Sequence, residues 1–536
     1  MKKIISMLLV IVMLAAMAAG CANGEKGNTP TNANGSTTPT SASANQPGKT
    51  QSKTVSIAIS ENLFDLDPLN SNSLPARINT FNVFEPLLEF DHKGTSGEFT
   101  NCLATDYSVD ETGCVWTFQL REGVKFHNGE DFTSADVVCT FQRLLDDKSL
   151  SCANQFWPYL AAVEADGDYT VKITTSKPYA STLISVCYTP IIPDEAYAEK
   201  GMDLFLAGAM YGTGPWIFDE WVDGAYTHYL KNPDYWNKEN YDSYYDDMYV
   251  RYILESSSAI AAHLSGEVDA YVPSNGIDTG LLSQYSGYDN IKLTAIDTGT
   301  FNYFGFNCAT GAFADENCRM AFEYAIDRQT ICNTIYGGAA KVPNSVVLDC
   351  VPGYDPDLEP YTYDPEKAKE YLAKSSYDGH EIVLYSSTGL NLSEEALLAV
   401  SAMLNEVGFN TSVSVVEGAT FTSLRKAAEY EVFLINDMTV GGDLAKYIAQ
   451  KITGDSHKHG LKDEQLMQIA EGVLTTIDAD ARAELLTQYA HRMREIAAPH
   501  SILAQFNCTY AINDGVTGID LWTDGTFGFK YVDHVK

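Results

Sequence analysis

Trp116-Thr117-Phe118-Gln119-Leu120-Arg121-Glu122-Gly123-Val124-Lys125-Phe126-His127-Asn128-Gly129-Glu130, continuing Asp131-Phe132-Thr133-Ser134-Ala135-Asp136-Val137, is the stretch that decides the architecture. Gly123 and Gly129 suit turns on either side of a short strand, Val124 to His127. Thr133-Ser134-Ala135-Asp136 has the form of a capping box and opens a helix, with Val138, Phe141, Leu144 and Leu145 as its apolar face. His127 offers a base, but in a block made of turns and caps its expected role is a structural hydrogen bond.

Outward from this block the chain alternates strands and helices. Thr54 to Ile59 alternates as a strand. Asp364-Pro365-Glu366 is a helix start, with Asp as N-cap and Pro at the first helical position. Asn391 to Val407 carries Leu397, Leu398, Met403, Leu404 and Val407 at helical spacing and closes at Gly408. The strand-like run Phe409 to Val416 follows directly, which is the helix–strand unit of layered α/β folds. No repeat of 20–50 residues is visible.

Of 536 residues, 45% are hydrophobic and 20% charged, a globular composition of about three domains' length. Thirty-five Lys and Arg stand against 71 Asp and Glu, a net charge of −36 that repels a phosphate backbone and excludes nucleic acid as a partner. If the acidity selects anything, it favours the approach of cationic solutes.

Lys2 and Lys3 precede an apolar run from Ile4 to Met17, too short to span a membrane and flanked like a signal peptide. Ala18-Ala19-Gly20-Cys21 resembles a bacterial lipobox, in which Cys21 receives a diacylglycerol; Ala18 stands where leucine is usual. The other reading is a secretory signal with a chance cysteine. Residues 21–53, almost all Asn, Gly, Ser, Thr, Ala and Pro, cannot bury enough surface to fold and suit a tether reaching roughly 30 Å. Loss of the 1–20 leader with its two lysines deepens the net charge from −36 to −38. The ten further cysteines include no C-x-x-C, and their pairing is open.

Catalytic patterns are thin. No G-x-x-x-x-G-K-[ST], H-E-x-x-H or G-x-S-x-G occurs. Ser423-Leu424-Arg425-Lys426 matches S-x-x-K without its companion motifs. His457-Lys458-His459 could touch a metal, but its polar surroundings from Gly454 to Lys462 read as a solvated loop. No metal or cofactor is expected.

Several segments in order carry a resemblance: Asn82-Val83-Phe84-Glu85-Pro86-Leu87-Leu88, the block from Trp116, Gly212-Thr213-Gly214-Pro215-Trp216, Lys231-Asn232-Pro233-Asp234-Tyr235-Trp236, Ala321 to Arg328, and Tyr363 to Ala368. Together they resemble family five of the bacterial extracellular solute-binding proteins, the group of dipeptide- and oligopeptide-binding proteins of ABC importers, over residues 54–536. The resemblance implies an α/β, two-lobed periplasmic-binding-protein-like fold (type II, cluster C) with a two-strand hinge. Lobe one would hold 54–98, 197–297 and 498–536, with an inserted subdomain at 99–196, and lobe two 298–497. It also implies a monomer anchored outside the cell membrane through Cys21, which captures peptides between closing lobes and delivers them to permease subunits, without catalysis.

Carried over residue by residue, Asn62, Leu63 and Phe64 ahead of Leu66-Asp67-Pro68 should line the cleft, facing Asn436, Asp437, Met438 and Asp443. Asn302 and Tyr303 form a third candidate lining segment beside the hinge, whose aromatics could instead pack in the core. With Asp443 aligned to the family's D-P aspartate, Val440 stands where an ammonium-binding Asp is usual, and Asp437 where a Trp is usual. That departure leaves Asp437 or Asp443 as substitutes, or a solute without an ammonium group, such as an oligosaccharide or nickel chelate. An enzyme using Ser423 and Lys426, or the Asp437/Asp443 pair, is the rival class.

Overall fold

The computed structural model describes residues 53–535 apart from 71–73, 91–98, 207, 275, 389, 391 and 522–526. The leader, Cys21 and residues 22–52 of the expected tether lie outside the described residues. Among the described residues no helix is long and apolar enough to cross a membrane.

The chain from Ser52 onward forms one compact unit around an eleven-stranded sheet. The strand order is Thr411–Val416, Ile382–Ser387, Val432–Met438, Ile291–Phe306, His500–Asn513, Ala270–Tyr271, Thr54–Ile59, Asp247–Tyr252, Tyr226–Lys231, Trp216–Val222, with Ala340–Lys341 also on His500–Asn513. Thr54–Ile59 runs parallel to both its neighbours, as does Ile382–Ser387 at the other end. Each half of the sheet therefore has a parallel core, and among the described residues the long antiparallel pair Ile291–Phe306 and His500–Asn513 joins the two halves of the sheet.

That pair breaks register twice, between Asp297 and Phe301 and between Asn302 and Tyr303. Asp297 pairs with Asn507, and the next partners are Phe301 and Gln505. Thr298, fully buried at the first break, donates its hydroxyl to the Phe506 carbonyl (2.8 Å), and the Gln505 amide donates to the Thr298 carbonyl (3.0 Å). Side-chain bonds thus replace the missing ladder bonds. The second crossing falls at Gln505–Asn507. Residues 500–505, expected in lobe one, pair with Phe301–Gly305 and so belong with lobe two's sheet.

Alternation along the strands gives each half two cores. Phe301, Tyr303 and Phe433 face one side of lobe two, and Phe304, Phe306 and Leu434 face the other. In lobe one, Val55, Ile57 and Ile59 face one core while Ala58 and Tyr271 face another.

Between the strands Thr54–Ile59 and Trp216–Val222 a four-stranded antiparallel sheet is inserted, ordered Ala104–Val109, Val115–Leu120, Thr170–Thr175, Leu160–Ala165. Its helix Ser134–Asp146 starts as expected: Thr133 accepts from the Ala135 amide and Asp136 accepts from the Thr133 amide. Gly123 and Gly129 take positive φ. The expected strand Val124–His127 shrinks to one bridge, Lys125 to Asp131, because the Gly129 turn already returns the Glu130 carbonyl to the Phe126 amide (2.9 Å). The helices Pro365–Lys374, capped by Asp364, and Ser393–Val407, closed by Gly408 at φ 110°, lie where the sequence predicts them.

The recognisable sequence blocks meet at one buried acid. Glu85, wholly inaccessible, accepts from the Thr213 hydroxyl (2.8 Å), the Tyr235 hydroxyl (2.7 Å), the Trp236 indole (2.6 Å) and the Lys530 ammonium (2.7 Å). The Arg121 guanidinium lies 4.4 Å from the Trp236 ring centroid, and His127 Nε2 donates to the Gly214 carbonyl (2.9 Å). Burial holds the His127 imidazole below its ordinary pKa, so it is neutral and serves as the expected structural bonder. Glu85, Glu89 and Cys102 come close enough to suggest a cation site, but Lys530 binds both carboxylates and fills it.

Candidate functional site

In layered α/β folds, ligands bind outside the carboxyl ends of the parallel strands. Those ends here are the segment after Thr54–Ile59 in lobe one and the segment after Val432–Met438 in lobe two.

On lobe one, Leu66-Asp67-Pro68 is locked to the inserted subdomain: Arg143 binds the buried Asp67 carboxylate through both terminal nitrogens (3.2 and 2.7 Å). This fixes the preceding loop. Phe64 leaves it 78% exposed, and Asn62 is half-buried with its Oδ1 buried and without a hydrogen-bond partner among the described residues. Leu63, expected as a lining residue, turns the other way and packs in the lobe-one core at 1% exposure.

On lobe two, Val440-Gly441-Gly442-Asp443 is a tight hairpin turn. The Val440 and Asp443 backbones exchange hydrogen bonds (3.0 Å each), and Gly441 and Gly442 take φ of 58° and 70°, which L side chains resist. The turn reaches lobe one. A Cβ on Gly441 would lie 2.6 Å from the Phe90 ring, and Val440 is buried in the cluster of Phe118, Phe141, Phe156, Trp157 and Tyr188. Met438 packs against the same cluster, Asn436 is exposed, and Asp437 is half-buried with Lys451 at 3.8 Å.

Asp443 is an anchor. Arg482 donates to both carboxylate oxygens (2.6 and 2.7 Å), the Ser181 hydroxyl donates to Oδ2 (3.0 Å) and the Ala445 amide to Oδ1 (2.5 Å). Burial pushes its carboxyl up, but the Arg482 charge and these bonds outweigh it and leave the pKa below the ordinary range. With its oxygens occupied, Asp443 has no room for the ligand contact expected of it. Around it Ala180 donates to the Leu474 carbonyl (2.8 Å), Lys177 pairs with Glu471, and Tyr179 is buried in lobe two's core.

Tyr303, a further candidate, is fully buried among Phe301, Phe433 and Tyr447, and Asn302 donates to the Tyr336 hydroxyl (3.1 Å) at 1% exposure. Both follow the alternative reading of core packing, since the strand has sheet neighbours on both edges and a core on both faces. Of the nominated residues, Asn62, Phe64, Asn436, Asp437 and Met438 stand at the strand ends with part of their surface open.

The expected solvated loop around His457-Lys458-His459 is a second correction. His457 and His459 are buried with His500. His457 Nε2 faces Arg425 (2.7 Å) and Lys451 (3.2 Å), and burial with these two cations drives its pKa to about 2. A lone pair held by two cations does not bind a metal. Ser423 is exposed and donates to the carbonyl of Ala419 one turn back (2.9 Å), and Asp437 and Asp443 face different cations. Neither arrangement pairs a nucleophile with a base.

Sequence reasoning missed Phe90, Tyr188, Ser181 and Arg482, which meet the lobe-two turn from distant parts of the chain. The glycine pair at 441 and 442, read as a positive-φ turn, was the available signal.

Known proteins share this architecture. The structure of the periplasmic binding protein DppA from Helicobacter pylori in complex with peptide STSA superposes with a TM-score of 0.74 at 22% identity, covering 90% of this chain and 98% of that one. NikA from Brucella suis in complex with Fe(III)-EDTA superposes at 0.79 and 22% identity, covering 90% and 100%. They show the fold: a two-lobed, type II periplasmic-binding-protein-like α/β architecture. A putative ABC transporter peptide-binding protein of Brucella ovis is 31% identical over 353 residues. The match spans 64% of each chain, so this chain covers somewhat under two thirds of that relative's length. Residues 98–456 match the family described as bacterial extracellular solute-binding proteins, family 5 (middle), and with two thirds of its length inside that match the chain belongs to this family.

Proposed function

We propose that the protein is the solute receptor of an ABC importer, binding peptides between its lobes and handing them to membrane permease subunits. The observation that carries this reading is the two-strand hinge combined with the lobe-two turn Val440–Asp443 seated on lobe one. Among the described residues the chain crosses between the halves on two strands, about which they can rotate, and a ligand touching both lobes shifts the balance toward closure. Asn62 and Phe64 on one side, with Asn436, Asp437 and Met438 on the other, are the contacts proposed for the solute. The receptor acts as a monomer outside the cell, tethered by acyl chains on Cys21, and leaves its cargo chemically unchanged.

Val440 favours a second reading of the cargo. A buried ammonium needs a carboxylate, yet the usual place holds a valine packed on lobe one, and Asp443 is saturated. Asp437, with Lys451 as competitor, is the remaining ammonium partner for a peptide; a solute without an ammonium group needs none.

Mass spectrometry of small molecules released by denaturing freshly purified protein tests this. A mixed set of peptides is the expected result. A single sugar or metal chelate would replace the peptide reading, and steady conversion of the released compound by native protein would overturn the receptor reading.

A further inference from the structure

Along the edge strand Trp216–Val222 the side-chain alternation slips by one residue. Phe218 pairs with Tyr229 and the next partners are Glu220 and His228, so Asp219 is an extra, bulged residue. Phe218 and Trp221 both pack against the lobe-one core although three positions apart, which leaves the consecutive acids Asp219 and Glu220 on the opposite face. A regular strand would have sent one of them inward. Instead both meet His228 of the neighbouring strand, and one donor atom from each of the three lies within 4.8 Å of the other two. No motif in the sequence announces this set, because the three residues come together only through the bulge.

His228 is 8% exposed, and its ring stacks on that of Tyr249 at 4.2 Å and 17°. Its Nδ1 lies 2.9 Å from Asp219 Oδ2 and its Nε2 3.3 Å from Asp247 Oδ1. A neutral imidazole carries one ring proton, so it donates to one of these carboxylates and presents a bare lone pair to the other. With Nε2–H given to Asp247, the Nδ1 lone pair faces the oxygens of Asp219 and Glu220, three electron donors with no hydrogen between them. The Tyr226 hydroxyl donates to Glu220 Oε1 (2.7 Å) and holds that carboxylate in place. Among the described residues no lysine or arginine pairs with Asp219 or Glu220, whereas the cluster of Glu85, Glu89 and Cys102 is filled by Lys530.

We propose that Asp219, Glu220 and His228 bind a divalent transition-metal ion on the outer face of lobe one. Asp247 fixes the imidazole tautomer and Tyr226 orients Glu220, the outer partners that ligating imidazoles and carboxylates need. A tetrahedral ion with bonds of about 2.1 Å sets its donors roughly 3.4 Å apart and takes water as a fourth ligand. Both acids are exposed, so their side chains have the freedom to close to that spacing. An imidazole among the ligands favours zinc or nickel over calcium and magnesium, which take oxygen donors. The net charge of −36 draws cations toward the surface. None of the residues proposed as solute contacts belongs to this set, so the site is separate from the cargo and stands independently of that reading.

Isothermal titration calorimetry of chelator-treated full-length protein with Zn²⁺ alone tests the site. One equivalent of Zn²⁺ should bind, and Ca²⁺ should bind at least tenfold more weakly. Glu220→Gln, at an exposed position, should weaken Zn²⁺ at least tenfold with the fold intact, and His228→Gln should abolish the site. Should His228→Gln fail to fold, X-ray absorption of the zinc-loaded wild type takes its place and should show one imidazole nitrogen among oxygen ligands. His380→Gln, which alters another histidine flanked by two carboxylates, should leave binding unchanged. Absence of Zn²⁺ binding would mean that a second ring proton bridges His228 and Asp219, and it overturns the proposal. Equal affinity for Ca²⁺, unchanged affinity in Glu220→Gln, or a zinc spectrum without nitrogen would overturn it as well.

Discussion

Ser181 of the inserted subdomain and Asp443 of lobe two share a hydrogen bond of 3.0 Å, though 262 residues separate them. Through this bond and the Arg482 pair behind it, the subdomain is tied to the lobe opposite its own. Breaking a buried ion pair by removing one partner costs about 3–5 kcal/mol, whereas one hydrogen bond to a charged group is worth about 1.5–3 kcal/mol. Arg482→Met should therefore lower the urea-unfolding free energy by about 3–5 kcal/mol and Ser181→Ala by about 1.5–3 kcal/mol. Equal, small losses would mean that Asp443 is not the anchor described.

Acid should loosen the same contact. The folded pKa of Asp443 lies below its unfolded value, so its contribution is complete above about pH 4 and is lost as pH falls through the depressed folded value. Wild-type stability should fall on acidification below pH 4, more steeply than that of Asp443→Asn, which has no such proton to gain. Parallel curves from chemical denaturation at stepped pH would count against it.

Lys530 should be a second point of fragility, because Glu85 has no access to water and the Lys530 ammonium is the cation bonded to it. Lys530→Met is expected to destabilise lobe one by about 3–5 kcal/mol, and adding Glu85→Gln should recover part of that loss. Calorimetry of the single and double variants measures the recovery; none at all would contradict the hub.

Much of the fold is local in origin and therefore readable from sequence. The Thr133 box, the Asp364-Pro365 start and the Gly408 stop each depend on residues within one helical turn. The family blocks identify the architecture because Glu85, Thr213, Tyr235 and Trp236 build one scaffold knot. That knot is structural, so those blocks say little about the solute. The site depends on distant pairs instead. His457 and His459 read as solvated beside their polar neighbours, yet Tyr303 and His500 from the two hinge strands help enclose them. Asp443 looked available until Arg482 and Ser181 were brought to it.

Seating of the lobe-two turn should be separable from folding. In Gly441→Val the new side chain meets the Phe90 ring and φ 58° is strained, so the turn cannot approach lobe one. Circular dichroism should be unchanged, while the thermal stabilisation by a tripeptide library should be lost. Stabilisation equal to wild type would show that closure does not use this turn.

Small-angle X-ray scattering of ligand-stripped protein titrated with a free-acid tripeptide library tests the central claim most directly. The account predicts a saturable decrease in radius of gyration as the halves rotate about Asp297–Phe301 and Gln505–Asn507. A radius of gyration unchanged at peptide concentrations that saturate binding would contradict it.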